Sequence, residues 1–225
     1  MSLLKDLFNS SIGRKVMMSL SGIGFVGFLI GHVTGNLLLF KDDDGLAFNE
    51  YAHFMKTTPI IYVAEVLIFI LIFVHVIDGI ILTVKNKKAR PIQYAGKKKA
   101  STATATSRYA SVLGIILLIF FIIHMLDFFI PAKLLGQTTK VAGTDIDNLY
   151  VEVVKKFSYL PYVILYVICM LALAFHLAHG FQSAFQSLGF RHEKFTPMIK
   201  MIGYFVAVVI PTVFALMPVY IYIKG

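Results

Sequence analysis

Five stretches of this chain, near 16–40, 59–84, 109–130, 160–182 and 198–222, stay apolar for longer than a water-soluble element does. The hydrocarbon core of a bilayer is about 30 Å thick and takes roughly 20 helical residues to cross. Each stretch is long enough, and no water is available there to satisfy backbone N–H and C=O groups, so each is expected to be a helix. Composition agrees: 58% of the 225 residues are hydrophobic and 15% charged, with a mean hydropathy of +0.79, beyond the range of soluble globular domains. The chain reads as an all-α membrane protein, a single domain over 1–225 with five transmembrane helices in a bundle.

The first stretch follows Arg14 and Lys15, as a secretory leader would. It exceeds a leader's apolar core in length, lacks an A-x-A cleavage site and carries His32, so it is read as a retained span. The one cysteine, Cys169, lies inside the fourth stretch, which leaves no disulfide framework and no thiolate cluster. An iron–sulfur cluster would have to sit on another chain.

The net charge of +9 is not a nucleic-acid footprint, because the charges sort by loop. The N-terminal segment and the loops 85–108 and 183–200 hold fourteen basic and two acidic residues; the opposite loops and the C-terminus hold seven of each. The positive-inside rule then places the N-terminus in the cytoplasm and the C-terminus outside. Lys85, Lys87, Lys88, Arg90, Lys97, Lys98 and Lys99 form a basic inner face, suited to anionic lipid or to an acidic partner.

Local patterns fill in the connections. Leu3, Leu4, Leu7 and Phe8 have the spacing of a short surface helix. Lys41, Asp42, Asp43, Asp44 and Gly45 form a turn cluster that ends the first span, and Pro59 suits the first turn of the second. The Ser/Thr/Ala run 101–107 has the composition of a flexible connection. In the loop 131–159, Leu149, Val153 and Phe157 share one helical stripe and predict an amphipathic segment over the outer surface. Pro211 and Pro218 are expected to kink the last span.

Four histidines, His32, His75, His124 and His176, fall in four different spans, and His179 lies one turn beyond His176. Ionisable side chains at this depth mark function. With alternating span directions, His32 and His124 belong to the outer half and His75 and His176 to the inner half. Counting from the span starts puts the two layers roughly 10 Å apart at 1.5 Å per residue. Paired imidazoles from facing helices are the axial ligands of a low-spin b haem, which leads to two haems b, one between His32 and His124 and one between His75 and His176. Iron with both axial positions filled exchanges electrons and binds no substrate.

Smaller residues accompany the histidines. Gly79 and Gly180 each follow an inner histidine by four residues, where they clear a helical turn for a porphyrin face. Gly27, Gly31 and Gly35 form a stripe beside His32 that serves either a haem or close helix packing. Asp78 and Asp127 follow His75 and His124 by three residues and either accept a proton from the imidazole or reach the interface; Glu65 is read as interfacial.

The ordered motifs Gly31-His32-Val33-Thr34-Gly35-Asn36, Ala52-His53-Phe54-Met55, His75-x-x-x-Gly79, Ile123-His124-Met125 and Phe175-His176-Leu177-Ala178-His179-Gly180 span nearly the whole chain. Together they resemble the di-haem, single-subunit cytochrome b anchor of succinate dehydrogenases and fumarate reductases. The resemblance implies a five-helix anchor in a bacterial cytoplasmic membrane, beneath a flavoprotein subunit and an iron–sulfur subunit on the cytoplasmic side, with menaquinone as the quinone. It implies His176 rather than His179 as the ligand, from the His-x-x-x-Gly spacing. Some fumarate-reducing members carry a glutamate two residues before this ligand; here that position is Ala174.

A quinone carbonyl needs a protonatable neighbour near the outer haem, and Glu50 and His53 are the nearest by sequence. Two other readings stay open: the di-haem cytochrome b of a hydrogenase or formate dehydrogenase, and a transporter in which the histidines, Asp78 and Asp127 form a relay without haem.

Overall fold

The computed structural model describes residues 10–88 and 105–224. The expected helix around Leu3–Phe8, Arg90 and the lysines at 97–99 lie outside these residues, as does the run 101–107 for its first four positions. The described residues are all-helical apart from one isolated bridge between Lys140 and Asp147. Five of the helices are long and apolar enough to cross a membrane.

Helix α1 (Ser11–Asn36) starts at Ser10, whose hydroxyl accepts from the Gly13 N–H at 2.9 Å and so satisfies one of the free donors of the first turn. It tightens into a 3₁₀ turn, Leu37–Phe40, and the chain reverses through the acidic cluster. Asp43 accepts from the N–H groups of Gly45 and Ala47, at 3.1 and 3.2 Å, while Asp44 and Gly45 take positive φ of 51° and 78°. The ring of Tyr150 lies where a Cβ of residue 45 would point, so space and backbone both require glycine there.

Helix α2 (Leu46–Thr57) occupies a stretch that hydropathy gives as loop. Its buried Asn49 donates to Asn148 at 3.0 Å and accepts from the Tyr150 N–H at 2.9 Å. That tie fixes α2 to the short amphipathic helix α5 (Leu149–Phe157), which buries Val153 and Phe157 of the expected stripe. The bridging spans are α3 (Pro59–Lys88), which opens on its proline, and α4 (Ala105–His124). The last two are α6 (Leu160–Ser187) and α7 (Thr196–Lys224). Pro211 and Pro218 are buried within α7, and the helix runs through both without a break.

Immediately after His124, α4 widens into a π-helix over Met125–Leu134. Pro131 has no N–H to donate and its ring crowds the carbonyl four residues back, so an α register is disfavoured there. The Leu135 N–H reaches five residues back to the Ile130 carbonyl at 3.0 Å.

Helix α6 is central, packed on α1, α4 and α7, and α3 packs on α1. At one end Leu39, Phe48, Val153, Phe157, Val163, Tyr166, Met217 and Ile221 form a core that joins the spans to α2 and α5. Deeper in, Val26, Leu177, Val206, Ala207 and Ile210 form a second core. The apolar windows of α3 and α4 bury none of their residues. Their outward side chains, Phe73 at 67% exposure among them, form the surface that a bilayer covers.

Candidate functional site

The four span histidines meet as two pairs. The rings of His32 and His124 have centroids 5.9 Å apart, inclined by 84°; those of His75 and His176 are 6.3 Å apart, inclined by 69°. A metal–imidazole bond is about 2 Å long and the ring centre lies about 1 Å beyond the nitrogen, so two rings on opposite sides of one metal have centres about 6 Å apart. Both pairs have that spacing.

Three helices measure the separation of the pairs. On α1, Ser21 bonds to His75 at 3.1 Å and a Cβ on Gly22 would stand 3.5 Å from the His75 ring, whereas His32 is ten residues beyond Gly22. On α4, a Cβ on Gly114 would stand 3.8 Å from the His176 ring, and His124 is ten residues on. On α6, Tyr166 meets His124, and His176 is ten residues on. Ten helical residues rise about 15 Å. The layers are thus further apart than the 10 Å counted from span starts; α1 begins at Ser11, not near 16, and α4 at Ala105, not near 109, whereas α3 and α6 begin where expected.

The surroundings of the inner pair fix a tautomer. Ser21 Oγ donates its one proton to the Met18 carbonyl at 3.0 Å, so it is left to accept from His75 Nδ1–H at 3.1 Å. The proton sits on Nδ1 and the Nε2 lone pair is free. His176 Nδ1 is buried with no hydrogen-bond partner, a condition that costs about 1–3 kcal/mol. Phe25 closes the side of the His75 ring at 5.7 Å. Around the outer pair the walls are aromatic: Phe28 stacks on His32, Phe120 on His124, and Phe214 tilts against His32 at 5.5 Å. Tyr166 OH lies 3.4 Å from His124 Nδ1. The Asn36 amide donates to the His32 carbonyl at 2.8 Å and stands 3.4 Å from its Nδ1, outside the usual range for a nitrogen donor.

Two imidazoles hold a bare ion poorly, and among the described residues no group of three or more His, Cys, Asp or Glu is arranged for a metal. A metal in either pair needs its remaining ligands from a group that brings its own, as a porphyrin does. The donor set, the ring spacing, the unpartnered His176 Nδ1 and the small residues Gly22 and Gly114 all fit such a group.

Other residues singled out by spacing are placed differently. Gly79 faces Met18, whose methyl would lie 3.3 Å from an added Cβ, while Gly180, Gly27 and Gly31 have open space beside them. In the stripe beside His32 only Gly35 makes a close helix contact, with the Tyr51 ring of α2. His179 is half-buried; the ring paired with His75 is that of His176. Neither carboxylate bonds to its neighbouring histidine. Asp78 is buried and accepts from Arg14 of α1 at 2.7 Å. Asp127 accepts from Lys156 of α5 at 2.7 Å, and that hydrogen bond raises the Lys156 pKa. Glu65 pairs with Lys133 at the tail of the π-helix, between Tyr62 and Phe129. Glu50 is exposed and His53 half-buried on α2; among the described residues no hydrogen bond or ring contact joins either to the His32–His124 pair.

Sequence reading missed Ser21, Gly22, Gly114 and Tyr166. Small or polar residues inside an apolar run are the only signal they leave, and the packing partner that gives each a role is on another helix. No known protein family, characterised protein or solved structure matches the chain.

Proposed function

We propose that this chain is the membrane anchor and cytochrome b subunit of a succinate dehydrogenase or fumarate reductase, working between an iron–sulfur subunit and menaquinone. The observation that carries the reading is the pairing of four imidazoles, from four spans, at metal-bridging distance in two layers. The ordered sequence motifs support the assignment to succinate and fumarate chemistry.

In this reading His75 and His176 hold one haem b, and His32 and His124 the other. A haem held by each pair would supply reversible one-electron exchange at iron. The protein's own part is orientation and exclusion. Ser21 keeps the proton of His75 on Nδ1, which would leave the Nε2 lone pair available to a metal. Such outer partners also raise the basicity of a ligating imidazole. Gly22 and Gly114 leave the inner rings free of methyl groups. Phe28, Phe120 and Phe214 keep water from the outer rings. The charge distribution supports placing the inner pair toward the cytoplasm, and the motif resemblance supports flavoprotein and iron–sulfur subunits on that side of a bacterial cytoplasmic membrane. Quinone chemistry belongs at the opposite end, where Glu50 and His53 are the protonatable groups proposed to serve it.

The test is purification of the tagged chain from its native membrane. Flavoprotein and iron–sulfur subunits are expected to accompany it and to reduce menaquinone with succinate. His32→Ala or His124→Ala should abolish quinone reduction and leave succinate oxidation by a soluble dye intact. Equal quinone activity in wild type and both variants would exclude the reading.

A further inference from the structure

Where α6 ends and α7 begins, the structure holds a cavity of about 180 Å³. Gln182 and Gln186 of the last turns of α6, Thr196 and Lys200 of the first turns of α7, and Arg191 and Phe190 of the connection line it. Two cations therefore meet three uncharged hydrogen-bonding side chains, and among the described residues no carboxylate lines the wall. Among the described residues neither Arg191 nor Lys200 is in an ion pair. Elsewhere in the bundle Arg14, Lys56, Lys133 and Lys156 each have a carboxylate of their own. Among the described residues Lys15, Lys41, Lys155 and Lys194 also lack a carboxylate partner; Arg191 and Lys200 differ in sharing one cavity with three hydrogen-bonding side chains, an arrangement suited to an anion from outside the chain.

Position narrows the anion. The cavity lies at the boundary of two membrane-capable helices. Its surroundings are apolar and outward-facing: Phe190 is 62% exposed and Met201 66%, and Phe195 and Met198 are exposed as well. The cavity has room for a polar group the size of several water molecules. We infer that it binds the headgroup of an anionic phospholipid, with phosphate between Arg191 and Lys200 and acyl chains along the exposed side of α7. Basic pockets between spans are suited to such headgroups. A choline headgroup would bring its own cation against two others and is disfavoured. The inference does not depend on the redox reading, since no histidine of either pair lines the cavity.

Native mass spectrometry of the full chain in detergent, titrated with phosphatidylglycerol or phosphatidylcholine, tests this. Wild type should retain one phosphatidylglycerol preferentially, and the double variant Arg191→Gln, Lys200→Gln should bind it about 30-fold more weakly, at about 1 kcal/mol per cation. Phosphatidylcholine binding should be equal in both. The charge-conserving pair Arg191→Lys, Lys200→Arg should keep the preference. If the double variant fails to fold, the single glutamine variants carry the test, each with a loss of about 5-fold. Equal binding of the two lipids by wild type, or a preference that survives loss of both cations, would overturn the inference. Full displacement of the lipid by an equal concentration of inorganic phosphate would overturn it in favour of a soluble anion.

Discussion

Ser21 Oγ lies 3.1 Å from His75 Nδ1 and 3.0 Å from the Met18 carbonyl, so one hydroxyl links the backbone of α1 to an imidazole of α3. If the pairs hold haem as proposed, Ser21→Ala should leave the His75 ring without its acceptor and loosen the inner haem, with an affinity loss of about 10-fold or more. The outer haem should be unaffected. Haem content before and after a detergent wash, resolved by the redox titration of the two centres, checks this; equal retention of both would remove Ser21 from the site.

The glycines separate helix packing from the space proposed for the cofactor. A side chain at Gly22 is directed at His75, so Gly22→Leu should cost inner haem while the helical content of the chain is kept. Gly31 has open space beside it, and Gly31→Ala should change the Tm by no more than a surface substitution does, about 0.5 kcal/mol in stability. Circular dichroism melts and haem-to-protein ratios on the two variants distinguish the cases.

Arg14 and Asp78 form an ion pair 2.7 Å long, with side-chain exposures of 17% and 6%. Removing one partner leaves the other charge uncompensated, at a cost of about 3–5 kcal/mol. Arg14→Met and Asp78→Leu should each destabilise the α1–α3 contact strongly. The double substitution should recover most of the loss, which unfolding in mixed micelles would show.

The loop between the π-helix and α5 has a latch with a defined pH dependence. Burial would raise the pKa of Asp147, but the ammonium groups of Lys140 and Lys56 beside it outweigh this and hold the carboxyl well below the usual carboxylate range. Lys56 reaches it at 2.5 Å from α2. A depressed folded pKa means that this stabilisation is complete above the unfolded value of about 3.9 and fades as pH falls below it. Proteolysis of the 131–159 connection should therefore accelerate below about pH 4 in wild type. The variant Asp147→Asn should be cut quickly at all pH values.

The legible part of this protein is the part written within single helices. Hydropathy locates the five spans, and the stripe Leu149, Val153, Phe157 locates α5. Alternating directions place His32 with His124 and His75 with His176, because depth along a helix can be counted. Partners across helices cannot be counted in this way. Asp78 and Asp127 stand three residues from a histidine, and only tertiary packing shows that Arg14 and Lys156 take their oxygens. Helix α2 hides behind Asp42, Asn49, Glu50 and Lys56, whose polarity reads as loop, although Asn49 is among the most buried side chains. The π-helix is invisible to a hydropathy window, which measures apolarity and not hydrogen-bond register; Pro131 is its one sequence trace.

The pairing of imidazoles is tested most directly by a dithionite-reduced minus oxidised spectrum with haem quantitation on the purified chain. About two b haems per chain are predicted, with no shift under carbon monoxide because both axial positions are filled. His75→Ala and His124→Ala should each remove one of the two. A chain that carries no haem, or keeps two after either substitution, would contradict the bis-histidine assignment.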